Sequence, residues 1–310
     1  MRDSSRTYFA LTITVLIWGL SFIATKEALR SLHPFAIVFF RFAIASVVFG
    51  VILMRQGFPR LSPREHLKLA VLSVFEPGIY FFCETFGLQL TTASIASLII
   101  AAVPLVVVVF AGFLLKEQVR ARNLTAVALS IVGIAVLIFG DARAFVPGAG
   151  SITGDLLIVG AVITASLYTV LARDLGRTRS ALEITSLQIF YGAVIFAPFF
   201  FATLDRTDWQ AVRPSAALSV LFLALCATVL AYLFFNFSLT RLSATRASIF
   251  INGIPVVTTV AGWLLLGEKL TLLQLAGGLV VLVAVYINST GWKGTVAETS
   301  LPGEYSNQPD

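Results

Sequence analysis

The sequence predicts an all-α integral membrane protein, with ten transmembrane helices arranged as two inverted five-helix repeats around a central cavity. Three observations predict this fold: a scarcity of charge, ten long apolar segments, and a match between the two halves of the chain. Of the 310 residues, 58% are hydrophobic and 12% are charged, and the mean hydropathy is +0.92. A soluble domain carries about 25% charged residues. Most of the outer surface must therefore face lipid.

Ten apolar segments are long enough to cross a bilayer. A hydrocarbon core of about 30 Å needs about 20 helical residues at 1.5 Å each. The segments lack the alternation that is typical of barrel strands, which favours helices. The predicted spans are residues 8–27, 35–54, 66–88, 92–115, 123–141, 154–172, 183–204, 215–239, 244–267 and 270–290.

The basic residues predict how the spans are oriented. With the N-terminus inside, 15 of the 22 Lys and Arg residues lie on the inner side and 6 on the outer side, while Arg41 lies within the second span. Cytoplasmic loops carry such an excess. We therefore expect a multi-pass protein of the cytoplasmic (inner) membrane with both termini in the cytoplasm. Because topology explains most of the basic excess, we expect no nucleic-acid partner.

The two halves of the chain match each other without gaps at a shift of 151 residues. Ten identities fall within positions 92–119. Pro104 aligns with Pro255, and each proline precedes a glutamate by thirteen residues, at Glu117 and Glu268. Such a pairing is harder to obtain by chance than coincidences of Leu and Val.

Each repeat contains five spans, and five is odd, so the second copy must cross the bilayer in the opposite sense. Inverted repeats recur in secondary transporters, where the substrate site lies between the halves near the midplane. The predicted units are a first repeat at 1–141, a second at 142–293 and a disordered cytoplasmic tail at 294–310.

Short motifs accompany the repeat. The first span contains WGLSF at Trp18–Phe22, and in the second span Pro34 is followed by Arg41–Phe42. The block Pro104–Glu117 has a copy that ends at Gly267–Lys269. Together these motifs resemble the drug/metabolite transporter superfamily, in its EamA branch. Within that branch the chain is similar to the YddG-type exporters of aromatic and other amino acids.

The resemblance covers about residues 8–290. It implies a basket of helices around a cavity formed by spans 1–4 and 6–9, with spans 5 and 10 as scaffold. Export is also implied by the resemblance alone.

Three ionisable side chains fall inside the spans, where charge is costly, and this makes Arg41, Glu76 and Glu84 functional candidates. Glu76, Tyr80 and Glu84 follow one another at four-residue spacing, which places them on one helix face. A carboxylate there can face the ammonium group of an amino acid or take up a proton, and Arg41 can bind a substrate carboxylate with two hydrogen bonds. The alternative is an internal ion pair between Arg41 and a glutamate that fixes helix packing.

The other predicted substrate-binding residues are aromatic or polar side chains within spans. They are Trp18, Phe22, Tyr168, Gln188, Tyr232, Asn236, Ser248 and Asn252. The alternative for the small polar residues is close helix packing in lipid, and most of the 26 Phe residues must face lipid or neighbouring helices. Four residues are predicted to break helices near the midplane and to serve in gating: Pro77, Gly78, Pro104 and Pro255.

A membrane enzyme and a channel are the rival classes. An enzyme needs paired Asp, clustered His or an activated Ser, whereas the two His residues, His33 and His66, lie at span edges, and neither a G-x-S-x-G nor a Walker motif occurs. A channel usually needs a ring of identical subunits or a pore-lining filter, and a repeat within one chain does not suggest either. Both rival classes are therefore disfavoured.

The favoured function is a secondary, ATP-independent transporter that exports amino acids, including aromatic ones, by alternating access. A carrier for another small metabolite or a drug-like cation is the alternative. We expect no catalytic residue, no metal and no cofactor. The expected partners are the lipid bilayer and a small-molecule substrate, with no obligate protein partner.

Overall fold

Ten long helices build the protein in the computed structural model, which describes residues 2–116, 121–140 and 151–290. Within these ranges the chain forms helices and short connections, and no strand. The helices are α1 (Arg2–Ala28), α2 (Pro34–Gln56), α3 (Pro63–Leu90), α4 (Ala93–Leu114), α5 (Ala121–Phe139), α6 (Ser151–Leu175), α7 (Ala181–Phe201), α8 (Pro214–Leu239), α9 (Ala244–Leu266) and α10 (Leu272–Thr290).

Each predicted span coincides with one of these helices. The largest difference is at α1, which begins six residues before the predicted start at residue 8, because the helix continues beyond its apolar part. Nine of the described helices are long and apolar enough to cross a membrane, and α10 has a shorter apolar stretch at Leu272–Ile287. The predicted repeat boundary at 141/142 and the predicted tail at 294–310 lie outside the described residues.

The outer surface carries large apolar side chains. Phe9 is 64% exposed, Phe113 82%, Trp263 63% and Leu272 85%. A soluble monomer rarely exposes contiguous apolar patches of this extent. These helices therefore present their apolar faces to lipid.

Equivalent residues start equivalent helices in the two halves. Thr92 caps α4, because its side chain accepts a hydrogen bond from the backbone N–H of Ile95. Ser243, 151 residues later, caps α9 in the same way through Arg246. An N-cap hydroxyl satisfies a backbone donor that the first helical turn leaves free.

Helix breaks also recur at equivalent positions. A widened π turn interrupts α3 at Val74–Ile79 and α8 at Leu223–Leu230. A turn interrupts α4 after Ile100, and a 3₁₀ turn interrupts α9 at Phe250–Gly253. Pro104 and Pro255 lie at the second position of the helical segments that follow these last two breaks. Each half therefore contributes two broken helices.

The contacts between the halves are related by exchange of the repeats. Helix α1 packs against α8 and α9, and its counterpart α6 packs against α3 and α4. Helix α2 contacts both α7 and α8, and α7 contacts both α2 and α3. Equivalent helices also pair with each other, as α2 with α7, α4 with α9 and α5 with α10. The arrangement is that of an approximate two-fold axis between the halves.

The α5–α10 pair gives the relative direction of the repeats. A Cβ atom on Gly133 would lie 2.8 Å from Cγ2 of Val281, and one on Gly140 would lie 3.0 Å from Cβ of Leu273. Gly140 directly follows α5, so the chain contacts earlier residues of α10 as it proceeds along α5, and the two helices are antiparallel. The α2–α7 pair is antiparallel as well, with ring contacts Phe39–Phe200 and Phe42–Phe196. Because equivalent helices run in opposite directions, the repeats are inverted, and the predicted fold class is confirmed.

The close approach of α5 and α10 predicts that alanine at Gly277 destabilises the protein. Its Cβ would lie 2.8 Å from the carbonyl oxygen of Gly133 and 2.8 Å from the amide nitrogen of Leu137. We expect Gly277→Ala to lower the free energy of unfolding by about 1–3 kcal/mol through overpacking. The matched control is Gly50→Ala in α2, where no atom lies within 4 Å of the new Cβ, so helix propensity alone predicts a change of at most about 1 kcal/mol in the stabilising direction. Equal melting temperatures of the two variants in one detergent would contradict this packing.

Candidate functional site

A central cavity lies where the four broken helices meet. Helices α1, α2, α3, α4, α6, α8 and α9 line it, and among the described residues α5, α7 and α10 contribute none of its lining. Its volume is about 40 Å³, which is room for about three water molecules at roughly 10–15 Å³ each. In this conformation the cavity is therefore too small for an amino acid.

Eight of the twelve residues that the sequence suggested as substrate contacts line this cavity: Trp18, Phe22, Arg41, Glu76, Tyr80, Glu84, Tyr168 and Tyr232. They come from both halves of the chain, so the cavity lies between the repeats. The other four residues, Gln188, Asn236, Ser248 and Asn252, do not belong to the lining.

Arg41 reaches the cavity from α2 and is only 3% exposed. Its Nε donates a hydrogen bond of 2.5 Å to Oγ1 of Thr228, on the π turn of α8. Its guanidinium carbon lies 4.2 Å from the ring centroid of Phe81, a distance at which cation–π attraction operates. One hydrogen-bond partner leaves further guanidinium N–H groups to face a ligand.

Glu76 enters the cavity because α3 is broken at this residue. Its backbone is extended (φ −147°, ψ 115°), and a cis peptide bond joins it to Pro77. The side chain is 4% exposed, and Oη of Tyr232 donates a hydrogen bond to Oε1. Pro77 and Gly78 are both buried beside the break. Pro77 packs on Gly192 of α7, where a Cβ would clash with Cγ of Pro77.

Glu84 lies two helical turns beyond Glu76 and is 2% exposed. Its Oε2 accepts a hydrogen bond of 3.0 Å from Oγ1 of Thr85. Within the described part of the chain, Arg41 forms no ion pair with Glu76 or Glu84. The direct ion pair between Arg41 and a glutamate, which was the alternative interpretation of the sequence, is therefore not formed in this conformation. One cationic and two acidic side chains share a small, buried space.

Aromatic rings form most of the remaining wall. The Trp18 ring lies 5.2 Å from that of Tyr232 and 5.0 Å from that of Phe235. Its Nε1 donates a hydrogen bond of 3.1 Å to the carbonyl oxygen of Ala227, in the π turn of α8. Tyr80 and Phe81 contact each other edge to face at 4.8 Å. The cavity thus combines buried charge with aromatic faces.

An amide network lies behind Tyr168, at the side of the second repeat. Oη of Tyr168 is 2.8 Å from Oδ1 of Asn236 and 3.1 Å from Oε1 of Gln188. Nδ2 of Asn236 donates to Oγ1 of Thr185 at 2.9 Å. Nε2 of Gln188 is buried without a described partner. Gln188 and Asn236 therefore orient a residue of the lining without reaching the cavity themselves.

Two polar residues predicted on α9 lie away from the cavity wall. The hydroxyl of Ser248 donates to the carbonyl oxygen of Thr245 in its own helix, at 3.0 Å. Oδ1 of Asn252 is buried without a hydrogen-bond partner among the described residues. The cavity instead receives Ile251, within the 3₁₀ turn of α9, and Ile254, directly after it.

The structure adds polar site residues that the sequence reasoning missed, above all Thr228. A signal for it exists in the sequence. Thr228, Tyr232 and Asn236 follow one another at four-residue spacing on α8, as Glu76, Tyr80 and Glu84 do on α3. Ser21 and Thr169 also line the cavity, but nothing in their sequence context distinguishes them from hydroxyls that bond within their own helix.

Polar contacts join the helices at one end of the bundle. Glu268, just after α9, accepts hydrogen bonds from the backbone N–H groups of Ala93 and Ser94 at 2.8 and 2.9 Å, and from the Ser94 hydroxyl at 2.6 Å. Nζ of Lys26 donates to the carbonyl oxygens of Leu88 and Thr91 at 2.9 and 2.8 Å. We call this set the Glu268 contacts. The equivalent glutamate, Glu117, lies outside the described residues.

A second polar cluster joins α3 and α7 at the opposite end. Arg179 binds Glu65 through Nη2 at 2.5 Å and Glu183 through Nη1 at 3.2 Å. Hydrogen bonding to Glu65, and then to Glu183, raises the pKa of the Arg179 guanidinium. We call this set the Arg179 contacts. The described helices are thus held together at both ends of the cavity.

The fold and the cavity define a membrane transport protein built from two inverted repeats. The model of the EamA-like transporter family matches residues 5–139 and again residues 152–290. The chain therefore belongs to the EamA-like transporter family and carries its domain twice, as the sequence motifs predicted.

Several proteins named as transporters match this sequence over nearly its full length. An uncharacterized transporter of Archaeoglobus fulgidus is 28% identical over 284 residues, covering 91% of this chain and 98% of that protein. A probable amino-acid metabolite efflux pump of Salmonella typhimurium is 26% identical over 299 residues, covering 94% and 97%. One crystal structure matches with a TM-score of 0.67 at 19% identity, covering 93% of this chain and 97% of that chain; this likeness concerns the fold alone.

The contact between Tyr232 and Glu76 predicts that Tyr232→Phe destabilises the protein, because it leaves a buried carboxylate without its donor. The expected loss is about 1–3 kcal/mol in the free energy of unfolding. Tyr8→Phe is the control, since Tyr8 is 47% exposed. In a Glu76→Gln background the effect of Tyr232→Phe should shrink. Equal effects in both backgrounds, measured by denaturation in detergent, would contradict the assigned interaction.

Proposed function

We propose that this protein exports amino acids, including aromatic ones, across the cytoplasmic membrane by alternating access. The observation that carries the proposal is the presence of Arg41, Glu76 and Glu84 in one aromatic cavity between the inverted repeats. The proposed orientation places both termini in the cytoplasm, following the distribution of Lys and Arg.

The charges of the cavity match those of a zwitterion. The substrate carboxylate binds the free N–H groups of Arg41 through charge-assisted hydrogen bonds. The substrate ammonium faces Glu76 or Glu84 and offsets their excess negative charge. An aromatic side chain packs against Trp18 and Phe81, where offset or edge-to-face ring contacts are favourable.

The cavity must expand before it can hold such a substrate, since its volume is about 40 Å³. The broken helices supply the means, because a π or 3₁₀ turn allows the two parts of a helix to move separately. Opening towards one side requires the Glu268 contacts to separate, and opening towards the other requires the Arg179 contacts to separate. Inverted repeats make the two openings structurally equivalent.

The relatives support the substrate class. The Salmonella typhimurium relative, named a probable amino-acid metabolite efflux pump, matches nearly the whole chain. Family membership supports transport itself, and the amino-acid assignment rests on that name together with the charge pattern of the cavity.

A drug-like cation is the second candidate substrate. It is favoured by one observation: the three buried ionisable groups carry one positive and two negative charges when all are ionised. A nucleotide sugar fits less well, because Arg41 is the one cationic side chain among the described residues that line the cavity.

Efflux from proteoliposomes tests the assignment with two substrates that differ in one group. Phenylalanine carries a carboxylate, and phenethylamine lacks it. We expect the wild-type protein to transport phenylalanine. We expect Arg41→Gln to raise the KM for phenylalanine by about ten- to a hundredfold, because the substrate carboxylate loses a hydrogen bond between charged groups. Transport of phenethylamine, if present, should be unaffected by this substitution.

The matched control is Arg55→Gln, which removes an exposed arginine from the end of the same helix. It should leave transport of both compounds unchanged. Transport of phenethylamine without phenylalanine would assign a cation carrier instead. An unchanged KM for phenylalanine in Arg41→Gln would contradict the proposal that this arginine binds the substrate carboxylate.

A further inference from the structure

A second, larger cavity lies on the outside of the bundle, along the lipid-facing side of α8. It is a groove whose floor is formed by Leu233, Phe234 and Phe237, and whose wall on the α1 side contains Phe9 and Ala10. The start of α7, at Ala181 and Leu182, forms the other wall. The groove encloses about 680 Å³, within the range of about 300–1,000 Å³ that is typical of ligand sites.

Three arginines surround this apolar groove at one end: Arg6, Arg179 and Arg241. Arg6 lies in the first turns of α1, Arg179 precedes α7, and Arg241 follows α8, so segments distant in sequence bring their cations together. Arg6 and Arg241 are exposed. Neither forms an ion pair with an acidic side chain that the structure describes.

Arg241 is held in a fixed position at the groove. Its guanidinium carbon lies 3.6 Å from the ring centroid of Phe237, on the groove floor. Its Nη1 donates hydrogen bonds to the carbonyl oxygen of Phe237 at 3.2 Å and to Oγ1 of Thr240 at 3.0 Å. These contacts order the cation without neutralising it.

We propose that the groove binds one anionic phospholipid, such as phosphatidylglycerol, with its phosphate between Arg6 and Arg241 and an acyl chain along Leu233 and Phe234. An apolar trough that ends in uncompensated cations matches a molecule with an apolar chain and an anionic head. Basic pockets between transmembrane helices at the cytoplasmic side are typical sites for such head groups. The proposed topology places this end of the helices at the cytoplasmic leaflet.

The site is connected to the central cavity through α8. Leu233, Phe234 and Phe237 face the groove, whereas Tyr232 faces the central cavity and Asn236 faces the network around Tyr168. A lipid in the groove therefore contacts the helix that positions the donor to Glu76. The binding proposal itself does not depend on which substrate the protein carries.

Native mass spectrometry of the full-length protein, released from detergent with defined lipids, tests the proposal. The probes are phosphatidylglycerol and phosphatidylcholine with identical acyl chains. We expect one tightly retained phosphatidylglycerol per chain and much weaker retention of phosphatidylcholine. The double variant Arg6→Gln/Arg241→Gln should weaken phosphatidylglycerol binding by about twenty-fivefold, from about fivefold for each cation near the membrane surface.

The control is Arg206→Gln/Arg213→Gln, which removes the same charge from two exposed arginines in the connection between α7 and α8. It should leave lipid binding unchanged. A second variant, Ala181→Trp, fills the groove and should reduce retention without any change in charge. Melting temperatures report whether each variant is folded.

Three results would overturn the proposal. Equal retention of the two lipids would show that head-group charge is not recognised. Equal losses in the two double variants would show attraction by net charge alone. A dimer that buries the groove and excludes lipid would assign this surface to a second copy of the chain.

Discussion

Three ionisable side chains, Arg41, Glu76 and Glu84, are buried together in one aromatic cavity between the repeats. An isolated charge in the membrane interior costs several kcal/mol, so each of these groups needs a polar partner. Arg41 relies on Thr228, and Glu76 relies on Tyr232, both from the second repeat. The second repeat thus supplies partners for two of the three groups, whereas Glu84 accepts a hydrogen bond from Thr85 in its own helix.

The helix breaks make this arrangement possible. Glu76 reaches its position because α3 is interrupted there, and α8 is interrupted at the equivalent place, where Thr228 lies. Non-helical backbone at membrane depth is stable only when it is buried in protein or lines a cavity. The breaks therefore surround the cavity, while the unbroken pair α5 and α10 packs closely at its glycines, outside the cavity wall.

The fold could be predicted from the sequence because a membrane-spanning helix must have a minimum length and a continuous apolar composition. The repeat was visible because Pro104 and Pro255 have the same spacing to a glutamate, and the charged stripe of α3 was visible because charge is rare in spans. Thr228 was missed, since a single threonine in an apolar helix usually bonds its own backbone, as Ser248 does. The groove could not be predicted either, because Arg6, Arg179 and Arg241 come together only in three dimensions.

A reversible crosslink at the Glu268 contacts tests whether the protein transports by alternating access. Oγ of Ser94 lies 2.9 Å from the place of a Cβ on Gly262, so cysteine side chains at these two positions lie within reach of each other for a disulfide with an S–S bond of about 2.05 Å. In a chain whose two cysteines, Cys83 and Cys226, are replaced by alanine, the variant Ser94→Cys/Gly262→Cys should lose amino-acid efflux on oxidation and regain it on reduction. Undiminished efflux from the fully crosslinked protein would contradict the account.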